Sequence, residues 1–148
     1  QNEEVIENIL RGLSSQIAER EDSLLCSDVR NKLFGPMEFS RRDLASLNIM
    51  RGRDNGLPDY NTVRKCYGLP MVNNWSEINV EKHRESPEVF HTLRELYGEH
   101  GIGNIDLFVG GMLETKTGPG QLFTSIIKEQ FETLRDSDRF WFENEENQ

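Results

Sequence analysis

Apolar residues recur at three- and four-residue spacing along most of this chain, and glycine or glycine–proline steps break each run. That pattern builds helices with one buried stripe and carries almost no alternating strand signal. From Glu4 to Arg20, one such face is defined by Val5, Ile6, Ile9, Leu10, Leu13 and Ile17. Asp22 or Ser23 suits the N-cap of a second helix, which buries Leu25, Val29 and Leu33 and stops at Gly35-Pro36. Ser40 opens a third segment, Arg41 to about Asp54, with Leu44, Leu47, Asn48 and Arg51 on one side. The breaker cluster Gly56-Leu57-Pro58-Asp59 precedes a short helix over Asn61 to Tyr67, stopped by Gly68 and Pro70. Ser86-Pro87-Glu88 places a cap, a first-turn proline and an acid ahead of a helix that ends at Gly98. Its expected buried face is Val89 or Phe90, Leu93, Leu96 and Tyr97. Ile105 to Val109 is a short apolar run, extended or helical, closed by Gly110-Gly111. Gly118-Pro119-Gly120 leads into a last helix with Leu122, Ile126, Ile127, Phe131 and Leu134 facing inward. The fold class is mainly α, and the short connections suit pieces of a larger helical domain.

Composition narrows the function. A length of 148 residues supports one core, and 35% hydrophobic residues with a mean hydropathy of -0.67 describe a soluble globular chain. No run approaches the roughly 20 apolar residues that a bilayer requires. A net charge of -9 speaks against a nucleic-acid partner, which needs a basic face to displace counterions. Both ends look cut: the chain begins at Gln1 without initiator Met or signal peptide, so no targeting segment reports a compartment. It stops soon after Phe140-Trp141-Phe142, an aromatic cluster that needs a partner surface. Expressed alone, it is expected to fold poorly or aggregate. Cys26 and Cys66 either pair or stand as two thiols, and the absence of CxxC and HxxxH patterns leaves no metal site for zinc. Asn74-Trp75-Ser76 is a glycosylation sequon of the kind found in secreted or luminal proteins.

The third helix carries the unusual chemistry. Asn48 and Arg51 lie three apart and share a face with Leu44 and Leu47. An amide and a guanidinium among leucines are costly to bury without partners. On spacing alone the plainer reading leads: Asn48 bonds locally and Arg51 pairs with a nearby Asp or Glu. The alternative is a flat apolar ligand edged by a carboxylate, and haem is such a ligand. A buried charge-assisted pair of that kind contributes about 1.5–3 kcal/mol. His83, His91 and His100 read as solvated or satisfied histidines, and Glu143, Glu145 and Glu146 as a solvated charge run.

The longer string Leu44-Ala45-Ser46-Leu47-Asn48-Ile49-Met50-Arg51-Gly52-Arg53-Asp54-Asn55-Gly56-Leu57-Pro58-Asp59-Tyr60-Asn61 closely resembles L-x-x-L-N-x-x-R-x-R-D-H-G-L-P-x-Y-N of the animal haem peroxidases. Ile9-Leu10-Arg11-Gly12-Leu13, Ile105 to Gly111 and Leu134 to Asn144 resemble the family in the same order, so the likeness covers essentially residues 1–148. It implies the C-terminal portion of an all-helical peroxidase domain, incomplete here. By position, Asn48 resembles the asparagine that accepts the Nδ1 proton of the proximal haem histidine and makes that imidazole a stronger donor to iron. Arg51 resembles the arginine that pairs with a haem propionate, and Leu44 and Leu47 would pack on the proximal side of the ring. Arg53 and Asp54 are similar to a scaffold pair that ties the helix end to the next turn, which Gly56 and Pro58 shape. The resemblance places the proximal and distal histidines, the distal arginine and the calcium loop upstream, so no catalytic residue is expected in this segment.

Asn55 stands where most secreted members have His, and Phe34-Gly35-Pro36-Met37-Glu38-Phe39-Ser40-Arg41-Arg42-Asp43 precedes the motif. Both features look more like the dual oxidases, particularly those of invertebrates. That likeness implies an extracellular or luminal peroxidase-like domain joined to an EF-hand region and a membrane NADPH oxidase core that makes hydrogen peroxide. The expected cofactor is haem b, with FAD, NADPH and calcium held outside this segment. Expected partners are the rest of the peroxidase domain, the membrane core and a maturation factor. The expected activity is oxidation of a donor with peroxide; the alternative is a docking or maturation module that has lost haem chemistry.

Overall fold

The computed structural model describes residues 2–35, 42–98 and 101–144. Among them lie α1 (Asn2–Ser15), α2 (Ser27–Asn31), α3 (Leu44–Asp54), α4 (Tyr60–Cys66), α5 (Trp75–Ile78), α6 (Val80–Glu85), α7 (Pro87–Tyr97), α8 (Leu107–Leu113) and α9 (Gln121–Ser137). A 3-10 turn spans Gly101–Gly103. The described residues contain no strand, only one isolated antiparallel bridge between Asp59 and Asp106. The expected all-helical class is what the chain adopts. Ser40 and His100, with Pro36, Glu145 and Glu146, fall outside the described residues.

The core sits in the middle of the chain. Tyr60, Val72, Trp75, Ile78, Phe90, Ile105, Leu113 and Leu122 are buried together, drawn from α4 to α9 and the loops between. Burying each fully contributes roughly 1.5–3 kcal/mol for aliphatic and phenyl side chains. Two buried asparagines hold those loops. Asn61 reads the backbone of Val72 in both directions, donating to its carbonyl and accepting from its N–H at 2.8 Å each. Asn79 caps α6 by accepting from Lys82 N at 3.0 Å, and its amide donates to Leu113 O and Thr115 O at the end of α8. These amides give partners to loop and helix-end backbone groups of Val72, Leu113, Thr115 and Lys82.

Several expected elements differ. α1 stops at Ser15, not Arg20, because the Ser14 and Ser15 hydroxyls donate to Leu10 O and Arg11 O at 2.6 Å each and compete for the last carbonyls. Its apolar stripe is exposed: Val5, Ile6, Ile9, Leu10 and Leu13 have nothing packed over them. α2 is a single turn that contains half-buried Val29 but neither half-buried Leu25, which precedes it, nor exposed Leu33, which follows it. Gly110 and Gly111 do not close the apolar run; they lie inside α8. A Cβ at Gly110 would overlap the Tyr60 ring and one at Gly111 the Phe123 ring, so these glycines let α8 approach α4 and α9. α7 keeps its expected start and its Gly98 stop, at φ 83°, with Phe90 as the buried choice; Leu96 is exposed. α9 buries Leu122 and half-buries Ile126, whereas Ile127, Phe131 and Leu134 face out.

Exposed apolar surface thus collects on α1, on the second half of α9 and at Phe140 and Phe142. The total accessible area is 11811 Å², against roughly 7,800 Å² for a compact monomer of this mass. Cys26 and Cys66 are both exposed and unpaired. No described helix is long and apolar enough to cross a membrane, and no described group of His, Cys, Asp or Glu is arranged to hold a metal ion.

Candidate functional site

α3 is fixed at both ends by its own sequence. Asp43 accepts from Ser46 N at 2.8 Å, a bond that holds its carboxyl below the usual range. At the other end, Gly56 N donates to Arg53 O at 3.0 Å and Leu57 N to Gly52 O at 2.9 Å. This is a Schellman stop, and Gly56 supplies its left-handed residue at φ 66°. Leu57 closes over Gly52, its Cδ1 3.5 Å from where a Cβ would stand. Asn55 completes the end: its Nδ2 donates to Arg51 O at 2.8 Å, a bond that its own N–H doubles at 3.0 Å. The amide that departs from the family's histidine therefore serves as a helix cap.

A clamp joins this helix to α8. Arg53 donates Nε and Nη2 to the two oxygens of Asp106, at 2.9 and 2.6 Å. The Tyr97 hydroxyl donates to the same carboxylate at 2.5 Å. Asp106 precedes the first residue of α8, so α3, α7 and α8 meet at one acid. Its carboxyl is held below the usual range by the Arg53 bonds first, against the opposing effect of burial. Burial, then the Asp106 bond, pushes the Tyr97 phenol up to about 12. Sequence reading placed Arg53 as a tie to the next turn. The structure ties Arg53 to Asp106 at the start of α8 and not to the next turn; this anchor is 53 positions away and carries no local signal.

Behind the clamp, Asp59 caps α4 through Thr62 N at 2.9 Å, and Tyr60 N donates to Ile105 O at 3.0 Å. Tyr60 then enters a buried network. Its hydroxyl donates to Glu114 Oε1 at 2.5 Å, Arg64 pairs with the same oxygen, and Leu122 N donates to Glu114 Oε2 at 2.8 Å. Arg64 also donates to Pro70 O at 2.7 Å, to Gln121 Oε1 at 3.1 Å and to the Tyr60 hydroxyl at 3.5 Å. Burial first, then the Glu114 bond, raises the Tyr60 phenol well above its ordinary value. Neither Arg64 nor Glu114 stood out in the sequence, because a lone ionisable residue on a helix looks solvated until its partner is known.

Between α3 and the start of α8 lies a cleft of about 570 Å³, walled by Asn48, Arg51, Asn55, Leu57, Leu107 and Phe108 among others. The structure brings Asn48 and Arg51 to one wall. Leu44 and Leu47 are half-buried earlier on the same helix and do not line the cleft. Arg51 Nη2 donates to Asn48 Oδ1 at 2.6 Å. An amide oxygen has two lone pairs and a guanidinium five N–H donors, so each keeps capacity for a further partner. Among the described residues no carboxylate pairs with Arg51. The cleft therefore offers an apolar side, the Asn48 acceptor and an arginine that pairs with no acid among the described residues, while Asp59 and Asp106 also stand on its lining. His83 stacks near the Phe90 ring at 4.9 Å and His91 lies 3.7 Å from Glu95, both away from this cleft.

A family model described as animal haem peroxidase matches residues 1–148. The chain is 60% identical over 142 residues to the dual oxidase of Drosophila melanogaster, covering 96% of this chain and 9% of that protein. It is 48% identical over 143 residues to dual oxidase 1 of Caenorhabditis elegans, covering 96% and 9%. Human dual oxidase 1 is 43% identical over 147 residues, covering 99% and 9%. The chain thus spans about a tenth of the length of these relatives. Among solved structures, peroxidase A from Dictyostelium discoideum superposes with a TM-score of 0.73 at 40% identity, covering 87% of this chain and 24% of that one.

Proposed function

The chain belongs to the animal haem peroxidase family, and from that premise we propose that it forms one wall of the haem site in the peroxidase-like domain of a dual oxidase. The observation that carries this reading is the cleft wall: an acceptor and an arginine without a carboxylate partner, facing an apolar side. Haem b, when bound, supplies the iron at which peroxide oxidises a donor. Arg51 would hold a propionate by charge-assisted hydrogen bonds. Asn48 Oδ1 would accept the Nδ1 proton of a haem-ligating imidazole supplied from elsewhere in the domain and so fix that ring's tautomer. Because Oδ1 takes two donors, this role and the Arg51 bond coexist. Leu44 and Leu47 lie about one turn earlier on the helix, half-buried and outside the cleft.

On this reading the domain faces the extracellular or luminal side of a membrane protein. The membrane core supplies hydrogen peroxide with NADPH and FAD, and calcium is held elsewhere; a maturation factor and the rest of the domain are its protein partners. The test is haem addition to the intact ectodomain, followed by its absorption spectrum. A Soret band is expected. Asn48→Ala is expected to alter the ligand-field spectrum and lower turnover while haem content changes less, and Arg51→Ala to lower haem retention. An Asn48→Ala ectodomain with unchanged spectrum and turnover refutes the role. The second reading, a docking module without haem chemistry, draws on the Arg51–Asn48 bond, which satisfies the amide without a cofactor. It predicts no Soret band.

A further inference from the structure

We propose that Asn74 carries an N-linked glycan and marks an outward face of the intact domain. This rests on the luminal reading of the proposed function. Asn74-Trp75-Ser76 is the one Asn-x-Ser/Thr tripeptide in the 148 residues. The structure gives it three properties that suit such a site. Asn74 is exposed, in extended backbone at φ -129° and ψ 148°, just before the first residue of α5. The Ser76 hydroxyl has no hydrogen-bond partner among the described residues, so nothing in the fold claims the group that completes the tripeptide. Asn74 also borders a surface cleft of about 620 Å³ with Met71, Trp75, Ile102 and Arg94, which gives an innermost sugar an apolar and cationic surface to lie against.

The hydrogen bonding tolerates the modification. The Asn74 amide donates one N–H to Glu77 Oε1 at 2.7 Å. Glu77 Oε2 meanwhile accepts from Asn73 N at 2.8 Å and from Asn74 N at 3.4 Å. Transfer from a polyprenol-diphosphate-linked oligosaccharide forms a bond from the amide nitrogen to the anomeric carbon. The carbon–oxygen bond to the diphosphate breaks, one amide proton leaves to a base of the transferase, and no oxidation state changes. The second amide hydrogen stays with Glu77, so the start of α5 is kept. The inward wall of Asn74's helix is Trp75 and Ile78, both buried. A glycan there holds this side of α5 open to water in the whole protein, in contrast to the bare apolar faces of α1 and α9.

The test uses the full-length protein made in a eukaryotic cell, with peptide mass spectrometry before and after amidase release of N-glycans. Expected is a hexosamine-initiated glycan on the Asn74 peptide, and conversion of Asn74 to Asp on release. Ser76→Ala, which leaves Asn74 and its Glu77 bond in place, is expected to lose that glycan altogether, and Ser76→Thr to keep it. A protease-protection experiment on sealed vesicles runs in parallel. Asn74 unmodified in a segment shown to be luminal overturns this proposal and leaves the functional reading standing. A segment shown to face the cytosol overturns both.

Discussion

Replacing Glu114 by Ala is a severe truncation, and its cost follows from the bonds around the carboxylate. Arg64 and Glu114 are each 5% exposed, so the pair lies outside the regime in which surface ion pairs contribute almost nothing. Without Glu114, the Arg64 guanidinium retains Pro70 O, Gln121 Oε1 and a long bond to the Tyr60 hydroxyl at 3.5 Å, and it stays buried as an uncompensated charge. Breaking a buried pair by removing one partner costs about 3–5 kcal/mol. The Tyr60 hydroxyl and Leu122 N–H lose their acceptor in the same step. Each such orphan costs about 1–3 kcal/mol alone and less than additively together, which places the expected loss at the upper end of the ion-pair range. Urea unfolding of the intact domain, followed by tryptophan fluorescence from buried Trp75, measures it as a fall in midpoint at unchanged slope. The pairwise origin is checked by Arg64→Met with Glu114→Leu. Removing both charges is expected to restore most of the loss, leaving the Tyr60 and Leu122 donors as the residual cost of about 1–3 kcal/mol. A Glu114→Ala loss below about 1 kcal/mol, as for an exposed pair, refutes the reasoning, as does a double variant whose loss equals the sum of the singles.

The Arg53–Asp106 clamp sets a pH dependence of definite sign. Asp106 is depressed by Arg53, so its contribution is full above the ordinary carboxylate value near 4 and is lost as pH falls through the depressed value; the stability gap between wild type and Asp106→Asn should shrink in acid below about pH 4. Tyr97, raised to about 12 by burial and Asp106, contributes stability that is full below its ordinary value near 10 and lost as pH rises towards 12. Tyr97→Phe should therefore lessen alkaline destabilisation in a pH-resolved melt. Gly110→Ala should destabilise by about 1–3 kcal/mol through overlap with the Tyr60 ring, and a melt unchanged from wild type would contradict the close approach of α8 to α4.

What the sequence disclosed was what local chemistry decides. Ser86-Pro87 and Gly98 delimit α7, and Gly56 stops α3, because each acts through its own backbone. Asn48 and Arg51 reach one wall because three residues on a helix share a face whatever surrounds it. The misses are tertiary. Gly110 and Gly111 looked like punctuation, yet they sit inside α8 because two aromatic rings occupy the space where side chains would be. α5 and α6 escaped notice because each is too short for its apolar period to show, and Asn79 separates them while capping one. Periodicity identified the faces of α1 and α9 but not whether anything covers them. Asp106, Tyr97, Arg64 and Glu114 take their meaning from partners on other elements, which spacing cannot supply.

The two polar clusters divide the work of holding the cleft. Asp106 fixes α8 to α3 at the cleft's rim through Arg53, and Glu114 fixes the far end of the same helix to α4 and α9 through Arg64, Tyr60 and Leu122. A seven-residue helix with two glycines has little intrinsic stability, so its position depends on these end anchors. The wall bearing Leu107 and Phe108 is therefore set by Asp106, itself on the cleft's lining, and by Glu114, which lies outside it. Loss of the rim anchor should loosen ligand geometry before it unfolds the domain, whereas loss of the buried anchor should lower stability and ligand retention together. On the proposed reading, Asp106→Asn and Glu114→Ala separate these effects: the first lowers haem retention with a small change in urea midpoint, the second lowers both. Equal ratios of the two losses in the two variants would mean that the helix responds as one rigid piece and that the division of work is wrong.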